Sequence, residues 1–280
     1  MADPLRVITL PAALVVSASL VVSGCGAQPS AEEGATSTAA SPAAGEAAQP
    51  PSAHNTLTPA EQADGWRLLF DGTTTNGWRN AHAESFPDKG WAVRDGELVV
   101  LESGGGEAAH GGDIVTVDEY GDFELQLDFK LTPGANSGIK YFVTEKVGTP
   151  GRGSAIGLEY QLLDDERHPD AKMGIDGNRT VGSLYDLIAA PTDKNLRPVG
   201  EWNTARIVSK GRKVEHWLNG TKLIEFERGS DEFRKLVAGS KYKDFESFGE
   251  AASGHILLQD HGNTVHFRNI RIKGEALPNT

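Results

Sequence analysis

Asp122-Phe123-Glu124-Leu125-Gln126-Leu127-Asp128-Phe129-Lys130 alternates strictly between apolar and polar or charged residues. In an extended chain Phe123, Leu125, Leu127 and Phe129 fall on one face, and the charged residues on the other. A period of two belongs to a β-strand with one buried and one solvated side, whereas a helix repeats its apolar residues about every 3.6 positions.

Outward from this segment, further runs read as strands, separated by Gly, Pro and Asn. They are Trp66 to Phe70, Trp91 to Val93, Glu97 to Leu101, Gly138 to Val143, Gly157 to Leu163, Asn203 to Ser209, Lys213 to Leu218, Lys222 to Glu227, Gly254 to Gln259 and Val265 to Lys273. Asn219-Gly220 and Asp95-Gly96 each sit between two such runs. Both dipeptides tolerate positive φ at successive positions, so each predicts a two-residue hairpin turn. One helix is expected, over Ser230 to Leu236, with Ser230 as its cap and Glu232 in its first turn. Many antiparallel strands and almost no helix predict an all-β jelly-roll sandwich of two sheets. The wet face of one sheet is then the surface open to a ligand.

The chain before this region has a different character. Leu5 to Val22 is apolar with Arg6 near its start, and Val22-Ser23-Gly24 precedes Cys25, the only cysteine among 280 residues. This reads as an export signal over 1–24, followed by a bacterial lipoprotein box that implies acylation of Cys25. No thiol is then left for a disulfide, a nucleophile or a cysteine metal site. From there to residue 56 the chain is mostly Ala, Ser, Thr, Pro, Glu and Gln, with no large apolar residue. Such a stretch cannot bury enough apolar surface to order itself, so 25–56 is expected to be a tether, 57–274 the domain and 275–280 a tail. The expected location is the outer face of a bacterial membrane. A formal net charge of −12, from 27 basic and 39 acidic residues, argues against a nucleic-acid partner, which needs a basic face.

Several segments, in order along the domain, resemble the 3-keto-disaccharide hydrolase family. They are Gly65-Trp66-Arg67-Leu68-Leu69-Phe70-Asp71-Gly72 with Gly77-Trp78, then Tyr120-Gly121-Asp122-Phe123-Glu124-Leu125 and Asn136-Ser137-Gly138-Ile139-Lys140-Tyr141. Gly157-Leu158-Glu159-Tyr160-Gln161-Leu162-Leu163-Asp164, Gly182-Ser183-Leu184-Tyr185-Asp186 and Gly200-Glu201-Trp202-Asn203 follow. The last are Trp217-Leu218-Asn219-Gly220 and Gly254-His255-Ile256-Leu257-Leu258-Gln259-Asp260-His261-Gly262, leading to Phe267-Arg268-Asn269-Ile270. The resemblance implies a concanavalin-like jelly roll, exported or lipid-anchored, that acts on oxidised sugars.

The candidate chemistry is read from the residues themselves. Glu159 and Gln161 are two apart and share a strand face, where a carboxylate and an amide can bind sugar hydroxyls and the carboxylate can act as a base. The same pair also fits a plain solvated face. Asn136, Gly138 and Lys140 share a face likewise, and a lysine near Glu159 can stabilise an enolate. His261, two residues after Gln259, can move protons near neutral pH. Glu159, His261 and Lys140 are the candidate catalytic residues. Gln161, Asn136, Asp164, Gln259, Asp260, Tyr185 and His168 are the candidate substrate contacts. Glu159 and Asp164 stand five residues apart, about 17 Å along a regular strand, too far for a facing carboxylate pair without a bulge. The acidic loop from Asp164 to Asp170 lacks the ligand spacing of a calcium loop, so no metal and no cofactor are expected. The five tryptophans are expected mainly in packing rather than in sugar stacking.

Together with the resemblance, this set implies removal of the C2 proton of a 3-keto-glycoside, loss of the C1 substituent and addition of water. A carbohydrate-binding module without turnover, and a surface adhesion or assembly domain, fit the same fold.

Overall fold

The computed structural model describes residues 54–277 except 105, 107–109 and 145–154. The signal, Cys25 and nearly all of the tether lie outside the described residues. The strands are β1 (Trp66–Leu68), β2 (Trp78–Asn80), β3 (Trp91–Arg94), β4 (Glu97–Val100), β5 (Ile114–Thr116), β6 (Phe123–Leu131) and β7 (Asn136–Val143). They continue with β8 (Leu158–Leu163), β9 (Asn203–Lys210), β10 (Lys213–Leu218), β11 (Thr221–Glu227), β12 (His255–Leu258) and β13 (Val265–Gly274). The pairing is antiparallel throughout and makes two sheets. One has eight strands in the order β11-β10-β9-β6-β13-β4-β3 with β1 beside β13, and the other five in the order β2-β5-β12-β7-β8. This is the jelly-roll sandwich.

Strand β6 buries every second residue, as its alternation demands. Leu125, Leu127 and Phe129 meet Ile139, Tyr141, Leu158, Tyr160 and Leu162 from the facing sheet in one continuous core. Both anticipated hairpins form. Asn219 and Gly220 have φ of 47° and 81°, and Asp95 and Gly96 have 52° and 77°, the doubly positive turn that matches strand twist.

Helix α2 (Asp231–Ala238) follows its cap Ser230, whose hydroxyl accepts from Phe233 N–H. A second helix, α1 (Pro59–Ala63), departs from the expectation of a single one. Thr58 and Glu61 cap it reciprocally, with proline in its first turn. Strands β2 and β5, at three residues each, were also not anticipated.

Trp78 and Trp91 are buried and donate their indole N–H to the carbonyls of Leu69 and Gly112. Trp66, Trp202 and Trp217 are half-buried and lie against cations: Arg271 beside Trp66, Lys130 and Arg268 beside Trp202, Arg206 and Lys222 beside Trp217. The tryptophans thus pack, as expected.

The five-stranded sheet departs from simple alternation. Strands β7, β8 and β12 are buried at every position. Their outward face is therefore roofed rather than wet, although it carries Lys140, Glu159 and Gln161.

Candidate active site

Cross-strand register places the site residues. Arg79 of β2 faces Val115 of β5, which faces Leu257 of β12, which faces Lys140 of β7, which faces Glu159 of β8. Two residue-pairs along, on the same face, Gly138 faces Gln161. Directly opposed side chains on one sheet face lie about 5 Å apart at Cβ. Lys140, Glu159 and Gln161 therefore form one patch, and Asn136 on β7 extends it.

The patch is closely fitted. A Cβ added to Gly138 would strike the Glu159 carboxylate, so Glu159 rests on the bare backbone of that glycine. The Gln161 amide lies 3.0 Å from the Ser137 carbonyl and 3.1 Å from Glu159 Oε1. Both neighbours are acceptors, so the amide nitrogen belongs on that side, where it donates to both.

Lys140 Nζ lies 3.7 Å from Asp113 Oδ2 and donates to the Ala155 carbonyl at 3.3 Å. Both side chains of this ion pair are nearly inaccessible, at 5% and 2% exposure. Asp113 was not anticipated. It follows two glycines and reads as loop, yet it is held by the N–H of Asp260, which donates to Asp113 Oδ1 at 2.9 Å.

Several candidates hold backbone. Asp260 is fully buried; its Oδ2 accepts from the N–H groups of Gly111 and Gly112, and its Oδ1 from that of Gly262. Asp164 accepts from the N–H groups of Gly134, Glu166 and Arg167 and pairs with the Arg167 guanidinium at 3.1 Å. Burial alone would raise its pKa, but the Gly134 N–H and Arg167 outweigh burial and lower it. Asp164 also lines a cleft of about 300 Å³ at the end of β8, together with Leu131, Leu196, Arg197 and Glu201. Gln259 donates its N–H to the Gly138 carbonyl at 3.0 Å, which brings it beside the patch. The Asn136 N–H donates to Asn263 Oδ1 at 3.2 Å.

His168 and His261 meet edge to face, with ring centroids 6.0 Å apart. Burial, then the neighbouring His261, lower the pKa of His168. Its Nδ1 accepts from the Asp170 N–H and caps a 3-10 turn at Pro169–Lys172. His261 Nδ1 is buried, with no hydrogen-bond partner among the described residues.

The segment around residues 182–185 borders β8. Gly182 N–H donates to the Gln161 carbonyl at 2.9 Å, and Tyr185 N–H to the Glu159 carbonyl at 3.0 Å. The Tyr185 hydroxyl donates to Asp170 Oδ2 at 2.8 Å, and Arg179 joins Asp170 to Asp186 through two 2.7 Å contacts. Burial, then Asp170, raise the Tyr185 pKa; burial, then the Glu159 charge, raise that of Tyr242. Tyr242 therefore belongs to the surroundings of Glu159, a residue that the sequence did not single out.

A jelly roll that gathers an acid, an amine and amides on one buried sheet face suits a protein that handles a polar ligand such as a sugar. Comparison with known proteins narrows the class. The chain belongs to the family described as the 3-keto-alpha-glucoside-1,2-lyase-like domain, which matches residues 65–273. A 3-keto-disaccharide hydrolase of Bacteroides thetaiotaomicron is 39% identical over 230 residues, covering 75% of this chain and 79% of that protein. Among solved structures, a Parabacteroides distasonis protein assigned as a glycosyl hydrolase is 34% identical with a TM-score of 0.69, covering 80% of this chain and 100% of that one. A second protein of the same organism and assignment is 28% identical with a TM-score of 0.56, covering 75% of this chain and 99% of that one.

Proposed function

We propose that this chain cleaves 3-keto-glycosides by elimination and hydration, with Glu159 as the base. The observation that carries the reading is the buried patch of Glu159, Lys140 and Gln161, opposed across β7 and β8. A ketone at C3 acidifies the proton on C2. Glu159 takes that proton, and the negative charge moves to the C3 oxygen, where the Lys140 ammonium stabilises it. The enolate expels the C1 oxygen, which leaves as an alcohol after taking a proton from His261. Water then adds its hydroxyl to C1 of the enone and gives its remaining proton back to His261, while Glu159 returns the first proton to C2. The products are a free 3-keto-sugar and the released alcohol or sugar. This order of steps accommodates both a lyase-like family description and a relative named as a hydrolase. Gln161, Asn136 and Gln259 provide amides for sugar hydroxyls, while Asp164 and Asp260 shape the loops around them.

Incubation with 3-keto-trehalose and 3-keto-lactose tests the reading, with the unoxidised disaccharides as controls. Release of free 3-keto-sugar by the wild type, and its loss in Glu159→Gln, are expected. Full activity in that variant would eliminate Glu159 as the base.

The enzyme is further proposed to work outside the cytoplasmic membrane, tethered through lipidated Cys25. The apolar run Leu5 to Val22 and the Ser23-Gly24-Cys25 junction support this. Incorporation of labelled fatty acid into the wild type but not into Cys25→Ala would be the expected outcome.

A further inference from the structure

The inward faces of β7 and β8 carry a polar feature that the chemistry above does not use. His216 is fully buried, on the inward face of β10 between Val214 and Leu218. Its Nδ1 lies 3.0 Å from the Gly182 carbonyl, and its Nε2 lies 2.8 Å from the Tyr141 hydroxyl. A carbonyl only accepts, so Nδ1 carries the proton and Nε2 accepts from Tyr141. One residue further along β10, the Trp217 carbonyl accepts from the Tyr160 hydroxyl at 3.1 Å.

These contacts converge on the candidate site from behind. Tyr141 is the neighbour of Lys140 on β7, and Tyr160 lies between Glu159 and Gln161 on β8. Gly182, held by His216, donates its N–H to the Gln161 carbonyl. Gly182 has φ of +82°, and a Cβ there would strike Leu223, so the segment approaches as closely as a chain can. The eight-stranded sheet therefore grips both strands of the patch, and the segment bordering them, through directional bonds.

Stability alone does not require this arrangement. A buried hydrogen-bonded pair contributes little net, and apolar side chains of similar shape would fill the same volume about equally well. Directional bonds fix register and distance, which apolar packing leaves free to slide.

We infer that His216 is a positioning residue: through Tyr141 and Gly182 it sets the placement of Lys140, Glu159 and Gln161 relative to one another. The inference rests on the reading of these residues as the site. The test uses the full chain with Tyr141→Phe, His216→Leu and the double variant. With 3-keto-trehalose, kcat is expected to fall about tenfold in each, with KM within about twofold, because a small misplacement of reacting groups acts on the transition state. The double variant should lose little more than either single one, since both remove the same link. Backbone amide exchange under native conditions is the second readout. The Gly182 and Tyr185 amides should exchange about tenfold faster in His216→Leu, while that of Leu125 in β6 should not change. Wild-type kcat in well-folded Tyr141→Phe would overturn the inference. If the wild type cleaves no oxidised disaccharide, the substrate reading fails, and the exchange experiment still decides: unaltered exchange at Gly182 and Tyr185 overturns the positioning role. Should His216→Leu not fold, Tyr141→Phe carries both measurements.

Discussion

The carboxylate of Glu159 lies on Gly138, in the space that any other residue's Cβ would occupy. Gly138 itself faces Gln161 across β7 and β8, and its absent side chain makes room for the acid beside that amide. This glycine serves through its lack of volume, since it is not among the residues with positive φ.

Gly138→Ala is therefore expected to displace Glu159 while the fold survives. Overpacking of this kind typically costs about 1–3 kcal/mol of stability. Activity should fall further, by about a hundredfold, because placement of the reacting group is lost. Steady-state kinetics on 3-keto-trehalose alongside urea denaturation would check both. Wild-type kcat in the alanine variant would show that the space over Gly138 does not matter.

Gly220→Ala makes the contrasting case. An added Cβ there meets nothing within 4 Å, but the residue sits at φ +81°. Only the left-handed conformation opposes the change, at about 1–2 kcal/mol. The midpoint of denaturation should move accordingly, with kcat unaltered.

Lys140→Met removes the ammonium that lies 3.7 Å from the buried Asp113 carboxylate. Breaking one side of a buried pair typically costs about 3–5 kcal/mol. Adding Asp113→Asn should recover part of that stability but none of the activity. Chemical denaturation of the two variants and the wild type separates these effects, and equal stability of the single and double variants would refute the pairing.

Burial pushes the pKa of His216 down from 6.5 to about 4. The unfolded chain therefore binds a proton at this residue between those values, while the folded protein does not. Folding stability should be fully present above pH 6.5 and decline as pH falls toward 4, by on the order of 3 kcal/mol from this residue. The lowered pKa of His168 acts in the same direction. Denaturation midpoints across this range should slope less steeply in His216→Leu, and an unaltered slope would exclude the residue as the source.

Much of this molecule is legible in its sequence because exposed and buried sides alternate. Phe123 to Lys130 fixes the sandwich, and Asn219-Gly220 fixes a hairpin, each from local chemistry. The five-residue α1 was equally legible through Thr58, Pro59 and Glu61, although its brevity hides it. Strands β2 and β5 were not, since three residues are too few to display a period. Within the site, spacing of two put Glu159 with Gln161 and Asn136 with Lys140. That Lys140 faces Glu159 is a matter of register between strands, which neither segment encodes alone. Asp113 looks like loop because its role depends on Asp260, far away in the chain. His216 did leave a signal, as a histidine at an inward position between Val214 and Leu218.

Strand β1 pairs with β13, so the first and last strands of the sandwich lie side by side in the eight-stranded sheet. Glu159 belongs to the other sheet and faces away from it. A bead, a chip surface or a fluorescent label joined near Trp66 or Lys273 would thus sit on the sheet that does not carry Glu159.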